Sequence, residues 1–154
     1  MPPILILALL LCSIPSFAQK EFGKTKSELN RFLKQETALR NRQGPTIQTS
    51  DTSLTLTITE SGGRTTRFTY SFSRRTGRCI AKRTESECDS CYRNYLYSLL
   101  QNKSYGWKQI NENQYVSAFA AKLMLELPAE EGPLSFFLYY NNWSKAFYEL
   151  LVRP

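Results

Sequence analysis

LTLTITESGGRTTRFTYSFSRRTGRCIAKR, residues 54–83, decides the fold class of this chain. Leu54, Leu56 and Ile58 alternate with Thr55, Thr57 and Thr59, and Phe68, Tyr70 and Phe72 alternate with Thr69 and Ser71. A period of two puts successive side chains on opposite faces of a strand, so each run has one apolar and one polar face. Gly62 and Gly63 lie between the runs and supply the positive φ that a hairpin turn needs. A second turn at Arg75, Thr76 and Gly77 leads into a shorter strand, residues 78–83, and completes a three-stranded antiparallel meander whose outer face carries Thr, Ser and Arg.

Working outward, residues 20–42 read as an amphipathic helix, with Phe22, Leu29, Phe32, Leu33 and Leu39 at helical spacing. Thr25 and Glu28 form a candidate capping box, which places the first helical residue near Lys26, and Gly44 with Pro45 stops the helix. On the other side, residues 84–101 predict a second helix. Thr84 and Glu87 form its candidate capping box, and Cys88, Cys91, Tyr92, Tyr95, Leu96, Leu99 and Leu100 form its apolar stripe. Residues 115–127 and 134–140 read as two more strands joined by a turn at 128–133, and residues 144–152 as a short closing helix capped by Asn141 or Asn142. The expected fold is α+β: an antiparallel β-sheet of about five strands with helices packed mainly on one face, in the order α-β-β-β-α-β-β-α. No internal repeat is visible.

The N-terminus carries an unbroken apolar run at residues 4–11, followed by Ser16, Phe17 and Ala18, with small residues where a signal peptidase reads its substrate. Residues 1–18 are therefore expected to be a cleavable signal peptide and residues 19–154 a single domain, secreted or periplasmic. The apolar run is shorter than the roughly 20 residues that cross a bilayer, and no second such stretch follows. All 20 basic and 13 acidic residues lie beyond position 18, so the expected mature domain is basic. That charge favours anionic partners and also serves solubility.

The absence of histidine removes Ser-His-Asp and Cys-His catalysis and every metal site that needs imidazole. No Walker loop or dinucleotide fingerprint occurs, and no cofactor or metal is expected. Arg64, Arg67, Arg74, Arg75, Arg78, Lys82 and Arg83 fall in residues 61–84, a stretch with no acidic residue. Among them Arg67, Arg74, Arg75 and Arg78 form the candidate binding surface, where guanidinium forks suit phosphate or carboxylate groups. Nucleic acid is the weaker partner class, because the neighbouring aromatics are committed to the core and cannot stack on bases.

Cys79, Cys88 and Cys91 remain after signal cleavage. A disulfide from Cys79 to Cys88 or Cys91 would staple the third strand to the second helix. The competing possibility is a redox pair, since Cys88-Asp89-Ser90-Cys91 has thioredoxin-type spacing at a helix N-terminus. Glu85, Glu87 and Asp89 crowd the same place, where carboxylates also stabilise the helix dipole. Trp107, Tyr139, Tyr140 and Trp143 are core residues or, alternatively, the lining of a groove for a glycan or peptide. The expected function is an exported, non-enzymatic module that binds a protein, glycan or anionic envelope component. The alternatives are a thiol oxidoreductase using Cys88 and Cys91, and a structural protein that self-associates.

Overall fold

The computed structural model describes residues 20–39, 44–60, 62–128 and 132–153. The expected signal peptide lies outside them. Helix α1 (Lys26–Leu39) is followed by strands β1 (Thr46–Thr49), β2 (Ser53–Thr59), β3 (Thr65–Phe72) and β4 (Cys79–Ser86). Helix α2 (Asp89–Leu100) and a 3-10 turn (Lys103–Tyr105) lead to β5 (Lys108–Asn111), β6 (Gln114–Val116), β7 (Leu123–Glu126) and β8 (Leu134–Tyr140), and α3 (Lys145–Leu151) closes the chain. The class is α+β with one antiparallel sheet, but the sheet has eight strands where about five were expected, in the order β1-β2-β3-β4-β8-β7-β6-β5. The element order reads as a helix plus a four-strand meander, twice. β4 and β8, the last strands of the two meanders, pair at the centre.

Two local differences explain the extra strands, and a third lengthens β4. β1 and β5 are short edge strands with only Ile47 and Ile110 as large apolar residues, too little alternation to register as strands in the sequence. The single strand expected over residues 115–127 is interrupted after Val116. Lys122 takes a positive φ of 56°, and the chain turns before β7 begins. Finally, the expected capping box of the second helix is not formed. Thr84 is fully buried inside β4, opposite Phe68 of β3 and Phe136 of β8, and α2 starts only after Cys88, its N-cap. The third helix is capped by Ser144, whose hydroxyl accepts from Phe147 N–H, instead of by Asn141 or Asn142.

Other expectations match the structure. α1 begins at Lys26, and the Thr25 N–H donates to the Glu28 carboxylate at 2.8 Å while the Glu28 N–H reaches back to the Thr25 hydroxyl. The β2–β3 turn places Gly62 and Gly63 at φ of 83° and 78°, where a side chain would be strained. Leu54, Leu56 and Ile58 pair with Tyr70, Phe68 and Thr66, so the apolar faces of β2 and β3 coincide. Leu29 and Leu33 of α1 and Leu99 of α2 are buried in the same cluster as these strand residues and as Leu123, Leu125, Phe136 and Leu138 of the second meander. One core thus joins both helices to one sheet face. The opposite face carries Thr55, Thr57, Arg67, Thr69, Arg83, Glu85, Phe137 and Tyr139 by register.

The inner face of β4 is polar, which is unusual for a central strand. Lys82 points to the core side, opposite Tyr70, and its ammonium reaches the buried Glu21 at 2.8 Å. Tyr70 donates its hydroxyl to the other Glu21 oxygen at 2.9 Å, and the Lys82 ammonium sits over the Phe68 and Tyr70 rings at 5.0 and 5.3 Å. Burial and then the Glu21 charge push the Tyr70 phenol well above its ordinary value, so it stays a donor. The N-terminal turn is held to β4 by backbone bonds from Gly23 N–H to Cys79 C=O and from Cys79 N–H to Lys24 C=O. It occupies the side of β4 that β8 covers from Ala81 onward.

Removing one partner of such a pair strands the other in a low-dielectric site. Lys82→Met is expected to cost about 3 kcal/mol in urea unfolding, and Glu21→Gln with Lys82→Met, which removes both charges and keeps an acceptor for the Tyr70 hydroxyl, to recover most of that loss. Equal stability of Lys82→Met and wild type would show that the pair is solvated and holds nothing.

Candidate functional site

The four arginines expected to form one surface lie at two ends of the hairpin. Arg74 and Arg75 sit in the β3–β4 turn, which is tightened by bonds from Ser73 N–H to Arg78 C=O and from Gly77 N–H to Ser73 C=O. Both are exposed, and neither enters an ion pair among the described residues. Arg78 pairs with Thr25 as an isolated bridge and donates to the Gly23 carbonyl at 2.6 Å, so part of its guanidinium is already used. Arg67 lies five residues before the end of β3, about 17 Å away at the strand rise. It faces Glu85 across the ladder and is not part of the turn's surface.

The turn's real neighbours are lysines of the N-terminal segment, a grouping that linear spacing hides. The Lys26 ammonium donates to the Ser50 and Asp51 carbonyls and lies 5.8 Å from the centre of the Phe72 ring. Lys24 lies over Phe32 at 5.5 Å. Lys24, Lys26, Arg74, Arg75 and Arg78 therefore collect at one end of the sheet, against Glu28 and Asp51. Hydrogen bonds from the Thr25 N–H and hydroxyl, then the charges of Arg78 and Lys24, hold the Glu28 carboxyl below its ordinary range.

Arg67 belongs to a second region, an open cleft of about 490 Å³ at the other end of β3 and β4. Arg67, Glu85, Ser86, Glu87, Pro133 and Leu134 line it. Glu87 accepts from Thr65 N–H at 2.8 Å, and that bond, with the nearby Arg67 charge, lowers its carboxyl pKa. Glu85 pairs with Arg83 at 3.0 Å, and Asp89 with Arg93 at 2.9 Å one helical turn on. Each of the three carboxylates that crowd the start of the second helix thus has a structural partner. No cluster of His, Cys, Asp and Glu able to hold a metal occurs among the described residues.

The cysteines correct the expected pairing. Cys88 and Cys91 are bridged, with Cα atoms 5.2 Å apart, and Cys79 is free and buried. The reason is strand length. Cys79 opens β4 and Ser86 ends it, a span of about 23 Å, whereas a disulfide tolerates Cα separations up to roughly 7 Å. Burial, and then the Glu21 charge, push the Cys79 thiol up to about 12, leaving it inert. The Cys88–Cys91 bridge closes so small a loop that chain entropy gives it only about 2 kcal/mol.

The four aromatics considered for a groove are not brought together. Trp107 donates its indole N–H to the Leu99 carbonyl and packs against the core. Tyr139 and Tyr140 are consecutive in β8 and take opposite faces: Tyr139 follows the Phe137 ring on the open face, and Tyr140 stacks on Phe22. Trp143 contacts Tyr148 of α3. No helix among the described residues is long and apolar enough to cross a membrane.

The raised Cys79 pKa makes stability pH-dependent in a defined direction. A thiol that titrates near 12 when folded and near 9 when unfolded favours the fold below pH 9, and that contribution is lost as pH rises from 9 toward 12. Unfolding free energy should fall more steeply in wild type than in Cys79→Ala, by on the order of 2 kcal/mol between about pH 9 and 10.5. Parallel profiles for the two proteins would contradict the buried-thiol assignment. Compared with protein-family models, characterised proteins and solved structures, the chain matches none of them.

Proposed function

We propose that this is an exported module that binds an anionic polymer of the cell envelope through the basic end of its sheet. The observation that carries the reading is the convergence of Lys24, Lys26, Arg74, Arg75 and Arg78 from separate segments onto one end, with Arg74 and Arg75 exposed and free of ion pairs among the described residues. Two guanidinium forks on a rigid turn suit phosphate or carboxylate groups repeated along a chain. The lysines beside them add charge that raises the local concentration of such a polymer. Export is supported by the pattern at residues 1–18, and a disulfide is at home in an oxidising compartment.

Heparin serves as a defined polyanionic probe. Wild-type protein should bind it at low salt and release it as salt rises, while Arg74→Glu with Arg75→Glu should bind at least about tenfold more weakly, a loss of roughly 1.4 kcal/mol. Arg67→Glu, changed at the far end of the strand, should bind as wild type does. Equal binding by wild type and the double variant, or an equal loss in Arg67→Glu, would overturn the assignment to this end.

A further inference from the structure

The Cys88–Cys91 bridge is placed where a structural staple does least and a redox couple does most. It spans three residues of an already ordered helix start, while Cys79, the thiol whose cross-link would join distant segments, is left unbridged. The two cysteines also differ in exposure. Cys88 is buried, and Cys91 is half-exposed on the first turn of α2. The Cys88 sulfur accepts the Cys91 N–H at 3.2 Å and lies 3.3 Å from the Ser90 hydroxyl. Beside it opens the cleft lined by Arg67, Ser86, Glu87, Pro133 and Leu134, and Ser86 and Glu87 directly precede Cys88 in the chain. The Tyr92 hydroxyl donates to the Ser135 carbonyl, which fixes the first turn of α2 against the strand that borders this cleft.

We infer that Cys88 and Cys91 form an exchangeable disulfide that oxidises dithiols in other exported polypeptides, with Cys91 the sulfur attacked and Cys88 the leaving group. A substrate thiolate attacks the Cys91 sulfur. The new S–S bond forms from the thiolate's electron pair, and the Cys88–Cys91 bonding pair departs on Cys88. The Cys88 thiolate is then held at the N-terminus of α2 by the Cys91 N–H, the Ser90 hydroxyl and the positive end of the helix. A second substrate thiolate attacks its own sulfur in the mixed disulfide and releases Cys91 as a thiolate. The substrate loses two electrons and becomes a disulfide, and the protein pair gains them. Exchange with a low-molecular-weight disulfide restores the bridge. The cleft, whose Ser86 and Glu87 directly precede Cys88, receives the extended substrate backbone. This activity does not use the basic end.

The test uses the purified protein, a reduced two-cysteine peptide as substrate and oxidised glutathione to regenerate the bridge. Alkylation and mass mapping follow Cys88 and Cys91 separately. Wild type should oxidise the peptide at least about tenfold faster than the Cys88→Ser, Cys91→Ser protein, whose fold is checked by circular dichroism. With a one-cysteine peptide supplied as its mixed disulfide with glutathione, the Cys91 thiolate of Cys88→Ser should displace glutathione and hold the peptide as a stable mixed disulfide, and Cys88 of Cys91→Ser should do so far more slowly. Three results would overturn the inference: a bridge that yields to reduced glutathione only in denaturant, a double variant that does not fold, or faster trapping on Cys88 than on Cys91.

Discussion

The pairing of β4 with β8 is the constraint on which the rest of the structure depends. β4 ends the first meander, yet the chain does not continue into its neighbour. α2 carries it to the far edge of the sheet, and three strands must form in turn before β8 arrives at the vacant side of β4. Six residue pairs, from Ala81 with Tyr139 to Ser86 with Leu134, then convert two four-stranded halves into one sheet. Each half alone would leave an open edge at its last strand, with a row of unpaired backbone groups. The seam removes both edges, and α2 lies over it, touching β4 and β8 equally.

The seam also explains why β4 tolerates polar residues on both faces. On the open face Arg83 lies over the Phe137 ring at 5.1 Å and pairs with Glu85. On the core face Lys82 meets Glu21 and Tyr70, and Ser86 meets Thr66 at 2.8 Å. A buried polar group is tolerated when its hydrogen bonds are supplied, and Lys82 and Ser86 find theirs on β3 and the N-terminal turn, whereas the buried Thr84 hydroxyl has no hydrogen-bond partner among the described residues. The residues just beyond the expected signal peptide thereby become part of the core, since Glu21 and Phe22 are both buried.

These facts mark what was readable in the sequence and what was not. The β2–β3 hairpin was legible because its period of two and its glycine turn are local. The start of α1 was legible because the Thr25–Glu28 box closes within four residues. The end of β4 was not: Thr84-Glu85-Ser86-Glu87 has the composition of a helix cap, and only the pairing of Thr84 with Phe136, more than fifty residues away, makes it a strand. Edge strands β1 and β5 were hidden for the same reason, because their partners define them. The candidate site suffered similarly. A linear run of arginines concealed that Arg67 and Arg74 lie at opposite ends of one strand, and that Lys24 and Lys26 complete the basic end. The cysteine spacing was visible, but the bridge depended on the length of β4, which the misplaced helix start had shortened.

Both functional proposals use the two ends of the same strand pair. The basic turn lies where β3 meets β4, and the cleft with the Cys88–Cys91 bridge lies where β4 hands over to α2. A rigid seam holds them about one strand length apart, so an account of either begins with the integrity of β4 and β8. Native-state hydrogen exchange of backbone amides tests that most directly. The account predicts that amides of β3, β4 and β8 exchange slowest and with one common opening free energy, reached only by global unfolding. Separate opening of the two meanders, with β8 amides exchanging well before those of β3 and β4, would contradict it.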